Sequence, residues 1–235
     1  MWYGVANKSN LNLPLSRNFT QEKLPQRIYL IAALQQSNAP TIMWFRQDLR
    51  LADNPALCAA CERGEIIPVY ILDDQGADSW KMGGASRWWL YHALEDLNDS
   101  LKQGLQLFQG DALTILRDLA VQTGAAAITW NRCYEPWRIA RDAILKTALK
   151  DDGLEVQSFN GSLLWEPWQV LKKDGTPYRV FTPYYRRGCL SVTVPRRPLE
   201  PPKGISLSKN SVHSLLLEDL NLLPKINWDE QMKVR

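Results

Sequence analysis

No run of about 18 consecutive apolar residues occurs in the 235-residue chain, so no segment reads as a membrane-spanning helix. There is no G-x-G-x-x-G behind an apolar strand and no G-x-x-x-x-G-K-[ST] anywhere, which argues against a dinucleotide fingerprint and a P-loop. Cysteine is sparse and scattered, at Cys58, Cys61, Cys133 and Cys189. Cys58 and Cys61 make a C-x-x-C, but their Ala-rich flanks place them inside a helix, and no second pair at metal-ligand spacing follows. Buried thiols in a reducing compartment are the expectation, and with them a cytoplasmic location and no metal. Net charge is only +3, too weak by itself to argue for nucleic acid. Residues 1–40 hold a single acidic residue, three prolines and no regular pattern, and are read as an irregular extension.

What is present is a core. Apolar residues make up 45% of the chain, enough for one good-sized domain. Ten tryptophans are unusual, and beyond packing a few could serve an aromatic ligand.

From residue 41 apolar runs and helical stripes alternate. Ile42–Phe45 and Ile66–Leu72 read as strands buried on both faces, Leu105–Phe108 and Ala125–Trp130 as further strands, and Leu154–Phe159 as an alternating strand at the sheet edge. Between them lie helices. One starts at Asp53-Asn54-Pro55, a side-chain cap followed by proline. A second carries Leu90, Ala93, Leu94, Leu97 and Leu101, and a third is capped by Asp111 and closed by Gly124. The fourth carries Ile139, Ala140, Ala143 and Ile144. This alternation predicts an α/β fold: a five-stranded doubly wound parallel sheet of order 3-2-1-4-5 with helices on both faces. Residues 191–235, rich in proline up to Pro202, read as a linker.

That order puts the switch point between the first and fourth strands, where open α/β sheets bind ligands beyond the strands' carboxyl ends. The charged turn Arg46-Gln47-Asp48-Leu49-Arg50 and the segment 131–138 then form opposite lips of one crevice. Arg46 is the residue expected to touch a ligand, while Arg138 and Asp142, four apart, are expected to pair on one helix face. Tyr134 and Trp137 could stack on a planar ring or only wall the crevice, and Trp165 and Trp168 are expected to pack.

Three stretches carry a family likeness. Trp44–Leu57, as W-F-R-x-D-L-R-x-x-D-N-P-A-L, resembles the opening of the DNA photolyase and cryptochrome family, flavoproteins that use blue light to repair pyrimidine dimers or to signal. Tyr134-Glu135-Pro136 with Arg141-Asp142 is similar to the family's Y-E-P…R-D, and Gly175–Arg186 to the segment that closes its first domain. The likeness covers residues 41 to about 190, with a looser echo over 216–228, and is strongest to a class I deoxyribodipyrimidine photolyase.

The resemblance implies an antenna domain at 41–190 that holds a light-harvesting pigment and passes excitation to FAD in a separate helical domain. Arg46, Asp48, Arg50, Asp73, Tyr134, Glu135, Arg138 and Arg141 are then the candidate antenna-binding residues, and no catalytic residue is assigned. Folate-binding members carry Asn-Glu just beyond the Y-E, where this chain has Trp137-Arg138. That departure favours a deazaflavin over folate and leaves another flavin, or no pigment, as alternatives. The helical FAD domain is expected after Trp228, in cis or as a split partner, and DNA would be reached only through it. The chain is accordingly expected to be a truncated repair lyase, inactive alone. A cryptochrome-type photoreceptor domain and a chromophore-free α/β binding module are the competing readings.

Overall fold

The computed structural model describes residues 39–74, 81–192, 194–210, 212–226 and 228–230. The expected extension over 1–40 lies almost wholly outside these residues, as does part of the loop after the second strand. Five strands, β1 (Thr41–Phe45), β2 (Ile66–Leu72), β3 (Gln106–Gln109), β4 (Ala127–Asn131) and β5 (Glu155–Phe159), form one parallel sheet of order β3-β2-β1-β4-β5. This is the predicted order. Every residue of β1, β2 and β4 is buried, while β5, at the edge, exposes Glu155 and Gln157.

Alternation along β1 divides the core in two. Met43 and Phe45 join the cluster on one face, with Leu57 of α1 (Pro55–Arg63) and Leu90, Leu94 and Leu97 of α2 (Gly84–Ser100). Ile42 and Trp44 join the other, with Leu116 and Leu119 of α3 (Ala112–Thr123) and Leu145 and Leu149 of α4 (Pro136–Asp151). The caps follow the sequence. Asn54 Oδ1 accepts the Leu57 amide at 3.0 Å, Asp111 accepts that of Thr114 at 2.9 Å, and Gly124 ends α3 at φ 69°.

Three expectations change. The inner stripe of α4 is not Ile139, Ala140, Ala143 and Ile144, all of which are exposed. Its sheet-facing residues are Arg138, Arg141, Asp142, Leu145 and Leu149, the last two fully buried. The apolar periodicity misled because the first half of the inward face is polar. Cys58 and Cys61 are free and only half-buried, whereas Cys133 and Cys189 are buried.

The residues read as a linker instead run back over the domain. Leu199 O accepts the Asp53 amide, Ile66 exchanges backbone bonds with Ser206 and Ser208, and the Leu215 amide reaches Leu107 O. Leu220 and Leu222 are buried in the first core. Apolar residues are few in this stretch, but those present are spaced to reach the sheet's amino end and α2. The turn Glu218–Leu220 is a single 3-10 turn docked on the domain itself.

Candidate functional site

At the carboxyl ends of β1 and β2, beside the start of α4, lies a cavity of about 580 Å³. That size suits a ligand of one fused ring system with its substituents. Arg46 and Gln47 follow β1, Asp73 and Asp74 follow β2, Glu135 caps α4, and Trp137, Arg138 and Arg141 stand on its first turns. Met82, Ala85, Ser86 and Trp89 close the remaining side from the start of α2. The two lips meet as expected: Gln47 Nε2 donates to Glu135 Oε1 at 2.6 Å across the crevice.

Charge in the wall is balanced. Arg46 bonds Asp142 Oδ2 at 2.5 Å and donates to the Asn131 carbonyl. Arg141 bridges Asp73 at 3.0 Å and Asp142 at 2.9 Å. Asp142 thus pairs with Arg46 and Arg141, not with Arg138 as the spacing suggested. Arg138 instead donates to Cys133 Sγ at 3.3 Å and lies 3.7 Å from Glu135. The guanidinium of Arg141 sits 5.2 Å from the ring centres of both Trp44 and Trp137, and Arg46 stands 4.8 Å from Trp44.

Four buried side-chain atoms in this wall make no hydrogen bond: Trp44 Nε1, Arg46 Nε, Glu135 Oε2 and Arg138 Nε. Groups of this kind are rare in folded proteins; these lie beneath the accessible surface of the wall, with Arg138 Nε facing Glu135. Burial opposes ionisation of Glu135, yet hydrogen bonds from backbone and Gln47 and the charge of Arg138 hold its carboxyl below the usual range. Burial drives the Tyr70 phenol, also in the wall, well above its usual range, so it stays protonated.

Of the eight candidate residues, Arg46, Asp73, Glu135, Arg138 and Arg141 line the cavity; Asp48, Arg50 and Tyr134 do not. Asp48 is buried as the acceptor of a closed knot, taking the Arg46 amide at 2.9 Å, Asn54 Nδ2 at 3.2 Å and Asn131 Nδ2 at 2.5 Å. Arg50 turns away to the carbonyls of Ala52, Asp53 and Gly161, tying the turn to the loop after β5. Tyr134 donates to Glu166 Oε2 at 2.8 Å, and its phenol is pushed up to about 12 by burial and that carboxylate. Trp168 is exposed rather than packed, with Arg132 5.9 Å from its ring. Tyr70, Asp74 and Trp89 were not foreseen in the wall, and Gln47 was placed on the lip without being singled out as a candidate. Trp89 carried a readable signal, being an aromatic on a helix but off its apolar stripe.

The DNA photolyase family model matches residues 41–203. The chain belongs to the DNA photolyase family. It is 47% identical over 195 residues to a deoxyribodipyrimidine photo-lyase of Agrobacterium fabrum, covering 81% of this chain and 40% of that protein. It is 38% identical over 191 residues to cryptochrome-1 of Arabidopsis thaliana, covering 78% of this chain and 28% of that one. Among solved structures, a class III photolyase from Agrobacterium tumefaciens matches with a TM-score of 0.77 at 46% identity, over 83% of this chain and 41% of that one. That structure is of a class III photolyase, whereas the motifs are most similar to class I. A Synechocystis cryptochrome shares the fold, with a TM-score of 0.70 at 24% identity. The chain spans about 40% or less of the length of these photolyase-family relatives, and it corresponds to their first, α/β domain.

No described helix is long and apolar enough to cross a membrane, and no described cluster of His, Cys, Asp and Glu could hold a metal ion.

Proposed function

We propose that this chain is the antenna domain of a light-dependent deoxyribodipyrimidine photolyase, and that the crevice between β1, β2 and α4 holds a planar pigment. One observation carries the reading: a cavity of about 580 Å³ at the sheet's carboxyl end is lined by Trp89 and Trp137 together with the charged side chains of Arg46, Glu135, Arg138 and Arg141. A flat heteroaromatic ring fits such a wall, apolar on its faces and polar at its edges. When bound, the ring would absorb light and pass the excitation on. The chain's own part is to hold and orient it: Trp137 and Trp89 offer ring faces, and Arg46, Arg138, Arg141 and Glu135 offer edges.

Deazaflavin is the pigment we favour over folate, because Trp137 and Arg138 occupy the positions where folate-binding members carry Asn-Glu. Repair itself would require a helical FAD-binding domain, in cis or as a separate partner, and DNA would be met through that domain. A cryptochrome-type role uses the same crevice, and similarity to plant cryptochromes keeps it as the second reading. The chain is tested by titrating it with a deazaflavin, FMN and a methenyl-folate, following absorbance and induced circular dichroism. Saturable one-to-one binding, tightest for the deazaflavin, is expected. No saturable signal from any of the three would leave only a chromophore-free binding module.

A further inference from the structure

The first turns of α2 close one side of the cavity, yet the core does not anchor them. Leu90 is the first residue of the helix buried there, so residues 84–89 precede its anchorage. Their start is loose by sequence. Gly83 at the N-cap brings no capping side chain, Gly84 follows it, and the first turn carries no acidic residue. Among the described residues, two side-chain tethers fix these turns from outside the helix. Arg87 pairs with Asp74, after β2, while its Nε donates to Met82 O at 3.2 Å. On the next flank Trp88 Nε1 donates to Asp229 Oδ2 at 3.0 Å, far along the chain. Asp229 is 2% exposed, and the neighbouring Trp228 ring lies 6.5 Å from that of Trp88 and over Gly84. The returning segment that covers the first core thus grips α2 beside the wall residues Ala85, Ser86 and Trp89.

We infer that Trp228 and Asp229 form a latch for the cavity: by holding Trp88 they set the first two turns of α2, so that docking of the latch and occupancy of the cavity are coupled. Trp88 does not line the cavity, and its role is positioning. Residues three and four apart share a helix face. Ala85 and Trp89 face the cavity, whereas Gly84, Trp88 and Tyr91 face the returning segment, where the Tyr91 hydroxyl also reaches Glu218 Oε1 at 3.4 Å. The same two turns carry both surfaces, and neither shifts without the other. With the latch released, the Arg87 tether alone among those described remains ahead of Leu90, and residues 84–89 open locally at small cost. A ligand that needs this wall in place tightens the latch by the same factor by which the latch tightens the ligand. The inference takes from the antenna reading only that the cavity is occupied, and adds what holds its wall.

Hydrogen exchange of the whole chain, read by mass spectrometry, tests the latch without any ligand. Asp229→Ala is expected to speed exchange about tenfold over residues 84–91, which include the Arg87 amide bonded to Gly83 O, and to leave β1 and β4 unchanged. Asp229→Asn keeps an oxygen to accept the Trp88 N–H, and is expected to stay within about twofold of the wild-type chain. Unchanged exchange in Asp229→Ala, or equal acceleration in β1 and β4, overturns the inference. An Asp229→Asn chain that exchanges as fast as Asp229→Ala overturns it as well. The coupling is read with FMN as the probe. Stopped-flow fluorescence is expected to show FMN leaving Asp229→Ala about tenfold faster, and saturating FMN to slow exchange over residues 84–91 in the wild-type chain. FMN that binds both chains and leaves them at one rate overturns the coupling while the antenna reading stands. A chain that binds none of the three pigments above but shows the exchange pattern keeps the latch on the wall and overturns the antenna reading.

Discussion

Two polar clusters grow from the same turn after β1, and they differ in how far their hydrogen bonding is closed. In the first, Asp48, Asn54 and Asn131 lock together: Asn131 Nδ2 reaches Asp48 Oδ2 at 2.5 Å and Asn54 Oδ1 at 2.7 Å, and Asn54 caps α1. Every member is buried, and the knot ties β1, β4 and α1. In the second, a few residues away, Arg46, Glu135, Arg138 and Arg141 border a cavity and leave donors and an acceptor unanswered. A buried, fully bonded network specifies a fold, whereas charged side chains along a cavity are placed to meet a ligand. One short motif thus does both jobs, with Arg46 as the hinge, its backbone in the knot and its side chain in the wall.

If that division is right, substitutions should separate stability from binding. The largest loss is expected from Asp48→Ala, which removes the buried carboxylate that accepts from the Arg46 amide, Asn54 and Asn131. It should cost about 3 kcal/mol in urea unfolding, and a loss below about 1 kcal/mol would mean the knot is not structural. Next comes Gly161→Ala. A Cβ there would stand 2.5 Å from Asn131 Cγ, and Asn131 is pinned and cannot give way. About 2 kcal/mol of destabilisation is expected by the same measurement.

Arg141→Ala belongs to the other cluster. It should cost about 1–2 kcal/mol of stability, because Asp73 loses its partner while Asp142 keeps Arg46, and pigment binding should fall about tenfold. Calorimetric titration separates the two effects, and an unfolded Arg141→Ala chain would erase the distinction between clusters. Arg46→Ala is not a pure binding variant, although Arg46 is the residue the sequence marks for ligand contact. Its side chain is 4% exposed and paired with Asp142, so stability and binding should fall together.

The smallest effect is on pH. The Glu135 carboxyl titrates below its ordinary range in the folded chain, so the folded state gives up this proton more readily than the unfolded one. Its contribution is complete above the usual carboxylate range and disappears as pH falls through the lowered value. Glu135→Gln should therefore flatten the acid limb of the stability profile slightly, as read by thermal melts across pH. An unchanged limb would show that the cap and its neighbours are not coupled.

The architecture was legible because its signals are local. Buried strands are continuous apolar runs, caps are Asn54 and Asp111, and the strand order follows from a common winding. The crevice was legible in part: the topology brings Gln47 and Glu135 together, but the cavity opens at the ends of β1 and β2 and not between β1 and β4. What could not be read was which polar residues already have partners. Asp48 and Arg46 sit two apart in one turn, and only three-dimensional packing shows that the carboxylate is enclosed and the guanidinium faces a cavity. The α4 stripe failed for the same reason, because a helix that walls a polar cavity turns charged residues inward. The returning strap over 196–222 was hidden by its prolines, although its leucines are spaced to dock.

The central claim is that a planar pigment lies in this one cavity, and blocking the cavity without touching any ion pair tests it directly. Ala85 is an exposed wall residue on the first turn of α2, so Ala85→Trp fills space while leaving the core and both polar clusters intact. The wild-type chain should show saturable induced circular dichroism with a deazaflavin. The Ala85→Trp chain, with an unchanged melting temperature, should lose it. Retention of the full signal by that variant would contradict the assignment of the pigment to this crevice.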